Sequence, residues 1–144
     1  MSAAMNEGVH EGEGYAVGNL DAMGQGPGFR KIRRELDVKE LGVNAIVLPA
    51  GWATGMHYHE RQEEVYFLHR GSVEIVFGEG DEREAHVLEE GAAARVDAAT
   101  VRELRNPGDA DAVYIVFGAE GGYVGRDGLR PEGEDIRGPR PISD

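Results

Sequence analysis

The sequence of 144 residues contains no cysteine. Disulfide frameworks, thiolate zinc sites and cysteine nucleophiles are therefore excluded, and His, Asp and Glu remain as the side chains able to ligate a metal. It also lacks any apolar run approaching the roughly 18 residues of a membrane helix. The start, "MSAAMNEGVHEGEGYAVGNLD", has no basic segment followed by an apolar one, so nothing resembles a secretion signal. The expectation is a soluble, cytoplasmic protein with no membrane partner. Basic residues are scarce: 15 Lys and Arg stand against 27 Asp and Glu, a net charge of −12. A surface of that sign repels phosphate backbones, and nucleic acid is not an expected partner. The one contrary segment, "FRKIRRE", gathers Arg30, Lys31, Arg33 and Arg34, and reads as a solvated strand or turn face. No helix-turn-helix pattern is present either, which removes the obvious route to a transcription regulator.

What the chain does have is a succession of short β-rich runs. Residues 1–14 are small, polar and Gly-rich and read as a flexible arm, with His10 inert within it. Over residues 15–120, runs such as "GVNAIVLPAG", "EVYFLHRG", "SVEIVFGEGD" and "AVYIVFG" recur with glycine, proline or acidic turns between them. That rhythm predicts one all-β sandwich or barrel. "VNAIVLP" and "AVYIVF" are almost continuously apolar, which predicts strands covered on both faces by an opposite sheet and by a helix, an arm or a second subunit. A homodimer is the expectation. In "FRKIRRELDVKEL" the residues Phe29, Ile32 and Leu36 have helical spacing, but "GQGPG" before them supplies no cap, and a strand followed by a turn is expected. Residues 121–144, with Pro131, Pro139 and Pro141 among many glycines, read as a tail that wraps the barrel or stays irregular.

The chemistry concentrates in "HYHERQEEVYFLHRG", which holds three of the five histidines. His57 and His59 are two apart, so an extended segment sends both imidazoles to one face. In the following strand Glu64, Tyr66 and Leu68 share one face, and Val65, Phe67 and His69 the other. If Glu64 joins the histidine pair inside, His69 points outward and is set aside as a ligand.

At this point the chain resembles the cupin superfamily. That family's first motif places a glycine, two histidines, a glutamate and a second glycine at fixed spacings, matched by Gly51, His57, His59, Glu64 and Gly71. The resemblance, to small single-domain bacterial cupins, covers residues 15–120. It implies a double-stranded β-helix of jelly-roll type, with both histidines and the glutamate lining the cavity. The second motif departs from the family: Gly91 and Asn106 are kept, but Asp97 stands for the proline, Ala99 for the glycine and Arg102 for the fourth-ligand histidine. A guanidinium has no lone pair to give, so Arg102 is not a ligand.

Two readings stay open. In one, His57, His59 and Glu64 bind a divalent ion (Zn, Fe, Mn or Ni), and the protein is a metal-dependent enzyme acting on a small anionic or hydroxylated compound. Arg102 then anchors an anionic group, with Tyr66 and Trp52 as further substrate contacts. In the other, Arg102 pairs two-pronged with Glu64 and the pocket is a metal-free binding cavity. Asn44, Ile46, Trp52, Met56, Tyr66, Phe77, Leu104 and Tyr114 are the candidate lining residues.

Overall fold

The computed structural model describes residues 8–142. In chain order the elements are β1 (Val9–Gly12), β2 (Tyr15–Gly18), β3 (Gly28–Arg30), α1 (Ile32–Leu36), β4 (Gly42–Leu48), β5 (Trp52–Ala53) and β6 (Tyr58–His59). There follow β7 (Glu63–Arg70), β8 (Val73–Phe77), β9 (Glu84–Leu88), β10 (Ala93–Val96), β11 (Arg102–Arg105), β12 (Ala112–Ala119), β13 (Gly128–Leu129) and β14 (Arg140–Pro141). Two five-stranded antiparallel sheets, ordered β10-β7-β12-β4-β3 and β14-β5-β11-β8-β9, make the body of the molecule. This is the all-β barrel that the spacing of the runs predicts, in the jelly-roll form that the resemblance implies.

The two sheets close on one core. The first contributes Ile46, Leu48, Tyr66, Leu68, Val96, Ala112 and Tyr114, the second Val73, Ile75, Leu88 and Leu104. Period-two alternation produces this directly: along β7, Glu64, Tyr66 and Leu68 are buried while Glu63, Val65, Phe67 and His69 are exposed. Burying a full complement of Leu, Ile and Val side chains contributes on the order of 1.5–3 kcal/mol each, which fixes the register of every strand that carries one. Glycines sit where the chain turns sharply. Gly71, between β7 and β8, has φ of 84°, and a Cβ there would lie 3.0 Å from the Asp111 carbonyl oxygen. Asn106 ties the end of β11 to the core edge, donating from Nδ2 to the carbonyls of Leu48 and Ala110 at 2.8 Å each.

Three expectations need adjustment. "FRKIRREL" forms a three-residue strand and then the helix α1, instead of a strand and a turn. The helical spacing of Ile32 and Leu36 prevails because α1 lies against β4, half-burying both residues. It needs no side-chain cap at its start and ends at Asp37, whose left-handed φ of 56° returns its N–H to the Arg33 and Arg34 carbonyls. Second, residues 9–12, assigned to the arm, pair with β2 as a hairpin. Third, only β4 is covered on both faces, with Val43 and Ala45 buried outside and Ile46 and Leu48 inside. On the outer face of β12, Phe117 remains 38% exposed.

The C-terminal residues wrap the barrel. Gly128 and Leu129 pair with β6, Arg140 and Pro141 pair with β5, and the Ile142 N–H reaches the Gly51 carbonyl at 2.8 Å. Among the described residues no helix is long and apolar enough to cross a membrane.

Candidate metal centre

The site begins with the short strand β6. His57, one residue before it, forms an isolated β-bridge with Arg102, each donating its N–H to the other's carbonyl at 2.9 and 2.8 Å. The alternation within "HYH" turns Tyr58 outward and buries both histidines, whose rings meet edge to face with centroids 5.5 Å apart. Across the barrel, β7 brings Glu64 to the same place, and ligand-capable atoms of His57, His59 and Glu64 lie within 4.8 Å of one another. Strand parity in the sequence assembles this trio correctly. His69 lies on the exposed face of β7.

Each imidazole is held from behind. His57 Nδ1 donates to the Gly55 carbonyl at 2.9 Å. His59 Nδ1 meets Asp127 Oδ1 at 2.7 Å, while its Nε2 faces Glu64 Oε1 at 3.2 Å. Metal-ligating histidines are oriented in this way, one ring nitrogen engaged by an acceptor and the other free for the ion. Asp127 escaped the sequence reading. It lies 68 residues after His59, in a glycine-rich segment, and is placed by the pairing of β13 with β6. An acidic residue beside a glycine within the wrapping segment was the only available signal.

Arg102 is completely buried at the fourth-ligand position, and its guanidinium is spent inside the protein. Nη1 reaches the Thr100, Ala98 and Asp97 carbonyls at 2.6, 3.2 and 3.4 Å, and Nε donates to the Tyr66 hydroxyl at 3.2 Å. Nη2 donates to Glu64 Oε1 at 2.9 Å, a single contact and not a two-pronged pair. Tyr66 Oη in turn donates to the same Glu64 oxygen at 2.6 Å. Tyr66 is therefore engaged within the cluster. Trp52 packs half-buried at the core edge, on the end of β5 that pairs with Pro141. Ile46, Leu104 and Tyr114 belong to the core, Phe77 packs against it, and Asn44 is half-buried opposite Val116. Met56, beside His57, lines an open cleft of about 440 Å³ together with Gly55, Arg83 and Arg130.

The two histidines titrate in opposite directions. Burial is the main effect on His57, and with Arg102 nearby it lowers the pKa from 6.5 to about 4, so the ring is neutral. Burial also opposes charge on His59, but the carboxylates of Glu64 and Asp127 outweigh it and the pKa is raised. Glu64 resists its own burial through His59, Arg102 and Tyr66 and is lowered to about 2. Asp127 is likewise held at about 2, burial being overcome by Gln62, His59 and two backbone N–H groups. Without an ion, Glu64 and Asp127 are anions beside the Arg102 cation, and together they hold a proton on His59 more firmly than an ordinary imidazole holds one.

The donor set fits a divalent ion: two imidazoles oriented through Nδ1 and one ionised carboxylate are a three-ligand set with open positions. A two-sheet β-barrel with two histidines and a glutamate converging inside it is a barrel of the cupin type. The family model for the Cupin domain matches residues 44–118, more than half of the chain, and the chain belongs to that family. Among solved structures, the DMSP lyase from Ruegeria pomeroyi is similar with a TM-score of 0.55 and 19% identity, over 66% of this chain and 45% of that one. A putative sugar phosphate isomerase from Acidithiobacillus ferrooxidans gives 0.56 and 17%, over 62% and 56%. The oxalate decarboxylase from Bacillus subtilis, described with Mn(II) centres, gives 0.59 and 15%, over 76% and 29%. The chain thus spans about half, or less, of the length of these structures, and at such identities the likeness concerns the fold. No curated protein matches the sequence.

Proposed function

We propose that this cupin is a metal-dependent enzyme acting on a small anionic or hydroxylated compound, with His57, His59 and Glu64 as ligands of a divalent ion. The observation that carries the reading is the engagement of both histidine Nδ1 atoms, by Gly55 and by Asp127, with ligand-capable atoms of His57, His59 and Glu64 within 4.8 Å of one another. When bound, the ion supplies Lewis-acid polarisation of a substrate oxygen. Zn, Fe, Mn or Ni suit nitrogen and oxygen donors of this kind, and the Mn(II) centres of the similar decarboxylase barrel support that range. Arg102 acts chiefly as the clamp of Glu64. Four of its five N–H groups are used by the bonds above, so an anionic substrate group finds at most one donor there. Tyr66 serves the same clamp.

Metal analysis of untagged protein after reconstitution tests the reading. About one equivalent of a transition metal is expected, abolished in His57→Ala and Glu64→Gln. Less than about a tenth of an equivalent in the unsubstituted protein overturns it.

A second reading is favoured by one specific contact, the 2.9 Å pair between Arg102 and Glu64. If that pair outcompetes an ion, the barrel is a metal-free module that binds a small molecule. On either reading, the apolar outer surface carrying Val65, Phe67 and Phe117, each 36–38% exposed on the paired strands β7 and β12, supports a homodimer through this sheet.

A further inference from the structure

Asp127 is the polar group of the cluster that neither motif supplies. Its residue is 8% exposed, and every acceptor direction is occupied by a fixed donor. Oδ2 receives the backbone N–H groups of Arg61 and Gln62 at 2.8 and 3.0 Å. Oδ1 receives Gln62 Nε2 at 2.5 Å and His59 Nδ1 at 2.7 Å, and the Asp127 carbonyl receives the Glu60 N–H at 3.2 Å. The next residue closes on the imidazole: a Cβ on Gly128 would lie 3.1 Å from His59 Cε1 and 2.8 Å from Ile136 Cδ1. The ring is thus gripped from its Nδ1 edge by a carboxylate that cannot rotate away.

The other edge of the ring is held less tightly. His59 Nε2 is 3.2 Å from Glu64 Oε1, an oxygen that already accepts from Tyr66 at 2.6 Å and Arg102 at 2.9 Å. When the imidazole carries a single proton, the shorter contact, to an acceptor that is not already shared with Tyr66 and Arg102, takes it. His57 has only a neutral carbonyl behind it, that of Gly55. The two histidines are therefore unequal, and the one backed by a carboxylate is the more basic donor.

We infer that Asp127 is a positioning residue of the metal centre: it keeps the proton on His59 Nδ1, so that Nε2 is presented as a lone pair to an ion shared with His57 and Glu64. The inference rests on the metal reading above for its consequence, though the tautomer itself does not. It also makes the C-terminal segment part of the site, because Asp127 reaches His59 only while β13 is paired with β6. The plain alternative is a staple for the turn at residues 60–62, which would show in stability alone.

The test combines ¹⁵N NMR of the imidazoles in metal-free protein at alkaline pH with zinc titration of the unsubstituted chain, Asp127→Asn and Asp127→Ala. Expected are an Nδ1–H tautomer at His59 in the unsubstituted protein, a shift toward Nε2–H in both variants, and zinc affinity lowered by about 10–100-fold. Asp127→Asn keeps an oxygen for the Arg61 and Gln62 amides, so its folding is the better preserved. An Nε2–H tautomer in the unsubstituted protein overturns the inference, and that measurement needs no variant. Unchanged tautomer and affinity in the variants, with only the melting temperature lowered, overturns it as well. If no zinc binds to the unsubstituted chain the metal reading fails, while the tautomers still decide whether Asp127 orients His59.

Discussion

Arg102 Nη2 donates to Glu64 Oε1 at 2.9 Å in the interior of the barrel, so the side chain at the fourth-ligand position is bonded to one of the three ligands that remain. The pair is not isolated, since Tyr66 bridges the Arg102 Nε and the same glutamate oxygen, and three backbone carbonyls fix the rest of the guanidinium. Removing a positive charge from such a place has a different effect from exchanging it for a ligand.

Arg102→His should raise the affinity for a divalent ion, at least tenfold, because it restores a lone-pair donor and releases Glu64. Arg102→Met fills similar volume but leaves the Glu64 carboxylate without its guanidinium partner, and should destabilise the metal-free protein by about 3–5 kcal/mol. Zinc titration with parallel thermal melts checks both. No gain in affinity for Arg102→His would show that the arginine does not limit the ion.

His57 makes the metal-free protein sensitive to mild acid. Its folded pKa of about 4 lies below the ordinary 6.5, so between those values the unfolded chain binds the extra proton and stability falls as pH falls. The contribution is complete above pH 6.5 and lost by about pH 4. His57→Gln should flatten this part of a chelator-treated stability profile. Glu64 adds a further loss as pH falls from 4.5 toward about 2, where its carboxylate is protonated. An equally steep profile between pH 6.5 and 4 in His57→Gln would assign the acid sensitivity elsewhere.

The trio and its burial were readable because strand parity is local: three residues on one face of β7 and two on the face of the β6 segment follow from period two alone. The glycines at 51, 71 and 91 mark real turns with φ of 80°, 84° and 92°. Long-range pairing was not readable. Nothing in the spacing of "GRDGLRPEGED" indicates that β13 pairs with β6, so Asp127 was invisible, and so was the second carboxylate of the cluster. The helix α1 is illegible in the sequence for a related reason. Its stability comes from lying on β4, a tertiary contact that outweighs the missing cap. Arg102 was readable as a non-ligand, but its loss of free donors to the carbonyls of residues 97–100 was not.

A homodimer through the outer face of the β7–β12 sheet should be visible by light scattering. Phe67 and Phe117 are flanked there by Val65 and Ile115 on the register pairs Phe67–Ile115 and Val65–Phe117, which makes one continuous apolar strip. Phe67→Glu places a charge in that strip and should give a monomer with the melting profile of the barrel otherwise preserved. A monomeric unsubstituted protein would leave the strip as an ordinary half-exposed surface.

Metal affinity itself should carry a one-proton dependence on pH. Burial opposes protonation of His59, but Glu64 and Asp127 raise its pKa above the ordinary 6.5, so at any pH below that raised value the ion must displace a proton from this ring. His57 is already neutral above about pH 4 and Glu64 already ionised above about 2, so neither adds to the slope at neutral pH. Affinity should therefore rise about tenfold per pH unit up to the raised pKa of His59 and level off beyond it. Competition titrations of zinc against a chelator of known proton dependence measure this slope. A slope of two protons would mean that His57 is charged in the metal-free barrel, against the effect of its burial. A slope of zero on both sides of pH 6.5 would mean that the ion binds without displacing a proton from His59, against its assignment as a ligand.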